Sequence, residues 1–426
     1  MPGKTAPKSH VIKFTNCRIV KGDELVNQDV WIDSTSGKIL RAQEAFYGLH
    51  LSPDEVIDLG DRILAPGLID CQLNGAQGFD FSIPQPSKEE YDEGLRVVNK
   101  GLARTGVTSY LPTVVSSTAE VYHKVLPSLG PAGDTHRPED GAESLGAHVE
   151  GPFLSPGRNG IHKTEVLRST SSPEDLVECY GRENLAVNIR LMTAAPEVGK
   201  MMSTIPHIVS NDIIYSIGHS DATYEQALAA IDQGAAMVTH LFNAMRPFYH
   251  RNPGIFGVLG QQSEHCRRPF YGIIADGIHL HPTSIRIAYN AHPDGLVLVT
   301  DAMKLCGLPD GIYDWTNGER IIKSGARLTL EGSDKIAGSS ATLIECVNNF
   351  RRWSGASTAQ ALNAASATPA RLLGLEGVKG SLDSGADADL LVLSDEDDPY
   401  SGRTLTVNQV WKRGSKIFDS GKDGQV

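Results

Sequence analysis

Residues Ile213 to Asn243 read IIYSIGHSDATYEQALAAIDQGAAMVTHLFN. Two short apolar runs, Ile213–Ile217 and Ala236–His240, flank a helical pattern over Ala222–Gln233. Short apolar runs suit buried strands, and the longer amphipathic stretch suits a helix. Gly234 stands just past that helix, where a C-terminal cap is expected. The stretch is one β–α–β unit, and parallel strands of this kind need helices on their outer face. Each run also ends in an imidazole, His219 in Gly218-His219-Ser220 and His240 in Thr239-His240-Leu241-Phe242-Asn243.

The same alternation extends in both directions. Further strands are expected at Ile63–Ile69, Thr108–Pro112, Leu145–Glu150, Asn188–Thr193, Tyr271–Ala275 and Leu296–Thr300. Helical patterns fall at Glu89–Arg104, Ser172–Tyr180 and Ser284–Ala291, with Ala341–Trp353 and Ala359–Leu373 closing the series. Eight strands with intervening helices predict an α/β fold, a (β/α)8 TIM-type barrel. The ends read differently. Val11–Phe14, Asp29–Ile32 and Glu55–Asp58 are β-like, as are Asp387–Leu393, Val407–Trp411 and Lys416–Phe418. They predict a small β-sandwich made by both termini, residues 1–64 and 377–426, around a catalytic barrel of residues 65–376.

Composition narrows the function classes. The chain has 426 residues, is 40% hydrophobic and 21% charged, and carries a formal net charge of −12. That charge argues against nucleic acid or an anionic membrane as partner. Met1 to His10 is polar, with no apolar core of a secretion signal, and no run reaches membrane-spanning length. Six scattered cysteines, Cys17, Cys71, Cys179, Cys266, Cys306 and Cys346, form no Cys-x-x-Cys pair. They are expected to be reduced and mostly buried, in a cytoplasmic protein.

Four acid or imidazole residues close four strand-like runs. They are Glu150 in His148-Val149-Glu150-Gly151-Pro152, His219, His240, and Asp301 in Val299-Thr300-Asp301-Ala302. All fall at C-terminal strand ends, the barrel face where active sites are built. Two imidazoles and a carboxylate make a metal set with one position open to water, so Glu150, His219 and His240 are the expected ligands. Asp301 is the expected general base, then acid. One histidine after a strand is more often a packed core residue; four such strings in order are not explained that way. His148 is left outside the ligand set, as a packing residue or a partner of Glu150.

The run Ala65-Pro66-Gly67-Leu68-Ile69-Asp70-Cys71-Gln72-Leu73-Asn74-Gly75 resembles the first strand of the amidohydrolase superfamily. Most members carry His-x-His there for one of two metals. Here Gln72 and Asn74 occupy those positions, and amides are poor ligands. No lysine ends the fourth strand. One divalent metal per subunit is the reading, with zinc favoured over iron, cobalt or manganese. Gln-Leu-Asn-Gly, Glu-Gly-Pro, Gly-His-Ser, Thr-His-Leu-Phe-Asn-Ala-Met and Thr-Asp-Ala together resemble the N-acetylglucosamine-6-phosphate deacetylase family, from about Leu64 to Leu375.

The resemblance implies hydrolysis of the acetamide of N-acetyl-D-glucosamine 6-phosphate to D-glucosamine 6-phosphate and acetate, through a metal-activated water. It implies substrate contacts from Ile161, His162, Asn243, Ala244, Asp276, His279, Ala337, Gly338 and Ser339, with His279 beside the acetamido carbonyl. It implies that Arg251 binds phosphate in the other subunit of a homodimer, a task suited to a guanidinium fork. The segment Met303–Lys335 is not placed by any of this. Rival readings are a cyclic amidohydrolase or deaminase of the same superfamily, and a barrel that serves only as a scaffold. Absence of the His-x-His pair opposes the first, and presence of all four site residues opposes the second. No Gly-x-Ser-x-Gly elbow, Walker A string or dinucleotide fingerprint is present.

Overall fold

The computed structural model describes residues 9–42, 52–133, 136–261, 268–315, 318–398 and 402–423. Cys266 and most of the Met1–His10 segment lie outside the described residues. Eight parallel strands make the barrel: β1 (Leu68–Leu73), β2 (Val107–Val115), β3 (Ala147–Glu150), β4 (Ile189–Ala194), β5 (Ile214–Ile217), β6 (Met237–Val238), β7 (Phe270–Ile274) and β8 (Leu296–Val299). They pair in chain order. A parallel bridge from Leu73 to Ala302 joins the ends of β1 and β8 and closes the ring.

The outer helices are α1 (Lys88–Arg104), α2 (Ala119–Leu129), α3 (Glu174–Tyr180), α4 (Met201–Val209), α5 (Tyr224–Asp232), α6 (Pro282–Ala291) and α7 (Leu343–Ser354). Their starts follow from side chains. Ser87 accepts from the Glu90 N–H, and Thr223 and Gln226 cap α5 reciprocally.

Two expectations need correction. The strand predicted over Ile63–Ile69 is two strands, because Glu55–Pro66 belongs to the terminal sheet and β1 starts at Leu68. Gly67 makes the joint. Its N–H donates to Asp389 O, and a Cβ there would stand 2.1 Å from Thr108 Oγ1. The helix predicted over Ala359–Leu373 is also two, α8 (Thr358–Asn363) and α9 (Ala367–Leu372). Pro369 has no N–H for the carbonyl of Ala365 and its ring crowds that position. The freed carbonyls of Ala364 and Ala365 accept instead from Leu298 in β8 and Ile69 in β1, both at 2.8 Å.

Both termini do form one β unit. Its eight-stranded sheet runs Ser415–Asp419, Gly402–Lys412, Leu390–Asp398, Glu55–Pro66, Val11–Lys21, Val30–Asp33, Lys38–Leu40, with Glu24–Asn27 beside Val11–Lys21. The strand from Leu390 is apolar on both faces. Leu390 and Val392 join Phe14, Ile32 and Trp411 in the sheet's own core, while Leu391 and Leu393 pack into the barrel's core. A buried ionic cluster ties the two units. Lys412 Nζ lies 2.6 Å from Glu143, 2.7 Å from Asp389 and 2.9 Å from Thr108 O. Lys379 Nζ lies 2.5 Å from Glu143 and 2.9 Å from Asp387. Two ammonium groups already fill this triad of carboxylates.

The unplaced segment folds as a four-stranded antiparallel sheet, Gly311–Asp314, Arg320–Ser324, Arg327–Leu330 and Ile336–Ser339. Its last strand returns to the barrel mouth, where Met303 N–H donates to Ser339 O at 2.8 Å. No helix among the described residues is long and apolar enough to cross a membrane.

Candidate active site

Glu150 ends β3, His219 follows β5, His240 follows β6 and Asp301 follows β8. His219, His240 and Asp301 all have left-handed backbones, with φ of 48°, 25° and 48°. Such non-glycine residues cost about 1–3 kcal/mol each and gather where function holds them in place. Here the sharp turn off each strand directs a side chain toward the barrel mouth.

Three of the four converge. Glu150 Oε1 lies 3.1 Å from His240 Nε2 and 3.4 Å from His219 Nε2, and the two Nε2 atoms are 3.0 Å apart. All three residues are buried. His219 Nδ1 donates to the carbonyl oxygen of Arg158 at 2.8 Å, which leaves its Nε2 lone pair for the cluster. The two Nε2 atoms and the carboxylate oxygen are close enough to offer lone pairs to one cation between them. The donor set therefore fits one divalent metal. Burial opposes ionisation of Glu150, but His219 and His240 hold its carboxyl well below the usual range. Burial likewise disfavours a charged His240, yet Glu150 draws it above its ordinary value. No cysteine among the described residues joins the cluster, and the five described ones are free and buried.

Asp301 stands beside the cluster, across the seam between β8 and β1. Burial first, and Glu150 second, raise its carboxyl to about 6. Asn74 Nδ2 donates to Asp301 Oδ1 at 2.7 Å, and Gln72 Nε2 donates to Glu150 Oε1 at 2.8 Å. Thus the two amides at the superfamily's His-x-His positions each face a carboxylate. Motif reading registers them only as missing ligands. Their identity as hydrogen-bond donors was the available signal.

The remaining predicted residues fall into three groups. His162 and His279 lie close in. His162 packs edge-on against His219, with ring centroids 4.5 Å apart and Nε2 3.8 Å from Glu150 Oε2. Its Nδ1 accepts from the Ser116 N–H at 3.2 Å. His279 Nδ1 pairs with Asp276 Oδ2 at 2.7 Å, so its Nε2 remains for a ligand. Burial opposes charge on His279, but Asp276 raises it. Asp276 itself sits behind His279, its side chain fully buried and bound by the Ile278 and His279 N–H groups. It orients the imidazole rather than lining the pocket.

Backbone segments form the second group. Asn243 N–H donates to His240 O at 3.0 Å, and Ala244 has φ of 48° and accepts from Ser220 N–H. Ala337, Gly338 and Ser339 lie on the strand against Met303, and a Cβ on Gly338 would meet Met303 Cγ at 2.8 Å. The third group points outward: Ile161 is 70% exposed, and Arg251 is exposed on the tight turn Tyr249–Asn252. The chain alone does not bring Arg251 to the cluster. His148 is not a partner of Glu150 either. It lies deeper in the barrel, bonded to Cys71 O at 3.1 Å and Thr193 Oγ1 at 2.7 Å, and burial lowers it to about 4.

A barrel with this mouth is that of a metal-dependent hydrolase, and the profile of the amidohydrolase family matches residues 63–426. The N-acetylglucosamine-6-phosphate deacetylase of Rattus norvegicus is 42% identical over 429 residues, covering 99% of this chain and 99% of the relative. The crystal structure of N-acetylglucosamine-6-phosphate deacetylase from Pasteurella multocida matches with TM-score 0.79 at 27% identity, over 95% of this chain and 99% of that one. A mutant of the Mycobacterium smegmatis enzyme, in complex with N-acetyl-D-glucosamine-6-phosphate, matches with TM-score 0.76 at 27% identity, over 96% of this chain and 100% of that one. The chain belongs to the amidohydrolase family and, within it, to the N-acetylglucosamine-6-phosphate deacetylases.

Proposed function

We propose that this chain hydrolyses N-acetyl-D-glucosamine 6-phosphate to D-glucosamine 6-phosphate and acetate. The observation that carries the reading is the convergence of Glu150, His219 and His240 beside a carboxyl poised near neutrality on Asp301. A divalent cation, zinc by its two imidazoles and one carboxylate, would be held there; it would polarise the acetamide carbonyl and lower the pKa of water. Asp301 takes a proton from the attacking water as the C–O bond forms. It then delivers that proton to the nitrogen as the C–N bond breaks. His279, fixed by Asp276, supplies a donor to the carbonyl oxygen as negative charge grows there. His162 and the Ala337–Ser339 strand line the sugar, and the Asn243 and Ala244 backbone faces the phosphate.

The exposure of Arg251 supports a homodimer, in which it would reach the neighbouring subunit's site and pair with the phosphate dianion. Free buried thiols support a cytosolic setting. In domain terms, residues 65–376 would carry the chemistry and the terminal segments would brace it.

The test is acetate release from N-acetylglucosamine 6-phosphate and from the unphosphorylated sugar, before and after chelation and zinc return. Release from the phosphorylated sugar alone, lost with chelator and regained with zinc, is the expected result. Equal release from both sugars would remove the phosphate role of Arg251. No release from either, with zinc bound, would redirect the search to other amides.

A further inference from the structure

We propose that Asn74 is a positioning residue that gives the two oxygens of Asp301 different tasks: it binds Oδ1 and leaves Oδ2 to carry the proton. The inference rests on the reading of Asp301 as proton carrier.

The ends of β1 and β8 are locked together residue by residue. Asn74 N–H donates to Ala302 O at 2.9 Å, and Asp301 N–H donates to Gln72 O at 2.8 Å. Thr300 Oγ1 donates to Asp70 Oδ2 at 2.6 Å. Within this frame Asn74 Nδ2 reaches Asp301 Oδ1 at 2.7 Å and its backbone oxygen at 3.3 Å. The other end of the amide, Oδ1, is buried without a partner. A buried acceptor left unpaired is unfavourable. Turning the amide over would set that oxygen against a carboxylate, which is worse, so the donor end stays on Asp301.

Asp301 Oδ2, in contrast, receives no hydrogen bond among the described residues and is not among the sealed-off atoms. It is the oxygen left open to the site. A free carboxylate can swing about its last bond and present either oxygen, which dilutes the aligned state. An amide suits the task of stopping this. It adds no charge, and it has no titratable group to divert the proton. A lysine or arginine in its place would strip Asp301 of basicity.

The charged groups facing Asp301 are Glu150 from β3, His240 after β6, His279 after β7 and Asp70 within β1. The Asn74 hydrogen bond favours the ionised carboxylate against the two acids. Losing it makes Asp301 hold its proton to higher pH, so the acid limb of kcat moves up.

The experiment uses the full-length zinc-loaded protein, with Asn74→Ala, the nearly isosteric Asn74→Asp, and Asp301→Asn beside them. The expected result for Asn74→Ala is a kcat reduced on the order of 10- to 100-fold. KM, bound zinc and Tm should be unchanged, and the acid limb should shift up by about one pH unit. Asn74→Asp should shift it further, and it carries the test alone if Asn74→Ala fails to fold. A lower kcat and Tm with the acid limb in place would mean that Asn74 only braces the strand, and would overturn the proposal. So would wild-type kcat and pH profile in both Asn74 variants while Asp301→Asn is inactive. Turnover retained in Asp301→Asn would instead sink the proton-carrier reading itself.

Discussion

A carboxyl becomes useful at neutral pH when its surroundings make its charge expensive, and Asp301 shows how. Burial and the nearby Glu150 raise it to about 6, where a base is strong enough to take a proton and weak enough to return it. The base form is required, so kcat/KM should fall as pH drops through about 6. A bound dication would draw that limb downward, never upward. A pH profile of the zinc enzyme checks both the limb and its direction. Asp301→Asn should lower kcat by about 10²–10⁴-fold or more, with zinc per subunit unchanged. Turnover and metal content measured on one preparation decide it. The placement of Glu150, His219, His240 and Asp301 at the strand ends was legible because each ends or follows an apolar run. The contacts of Gln72, Asn74 and Asp276 were not. Asn74 meets a partner 227 residues away and Gln72 one 78 away, and only the closed barrel puts them face to face.

At the scale of elements, periodicity located β2 to β8 within a few residues but misread two joints, one of them at the start of β1. Both errors have steric causes that a running pattern does not register. Pro369 interrupts a sequence otherwise suited to one helix. Gly67 interrupts an apolar run otherwise suited to one strand. The close approach at Gly67 has a measurable consequence. Gly67→Ala would force a methyl into Thr108, 2.1 Å from its Oγ1. Overpacking of this kind costs about 1–3 kcal/mol, which thermal unfolding should record as a lower Tm. The 311–339 sheet was missed for another reason. Its strands are four or five residues long and partly exposed, so their burial pattern is weak.

At the scale of the molecule, barrel and terminal sheet are joined by charge as well as by apolar packing. Lys412 is fully buried among Glu143, Asp389 and a backbone carbonyl. Lys412→Met would leave carboxylates with one ammonium fewer, and breaking a buried ion pair costs about 3–5 kcal/mol. Urea unfolding should show it as a lower midpoint. Despite burial, Lys412 and Lys379 hold Glu143 and Asp389 below the usual carboxylate range, and Lys379 does the same for Asp387. Their stabilisation is present above the unfolded carboxylate range and is lost as pH falls through their native values. None of this was visible in the sequence, where Glu143 and Lys412 are 269 residues apart. The seam between β1 and β8 carries one more implication. A ribosome emits residues 150, 219 and 240 well before residue 301, and the strand that pairs with β8 waits from the start. The proposed ligand set is thus complete in sequence before residue 301 emerges, and the proposed site closes only when the last barrel strand pairs with the first.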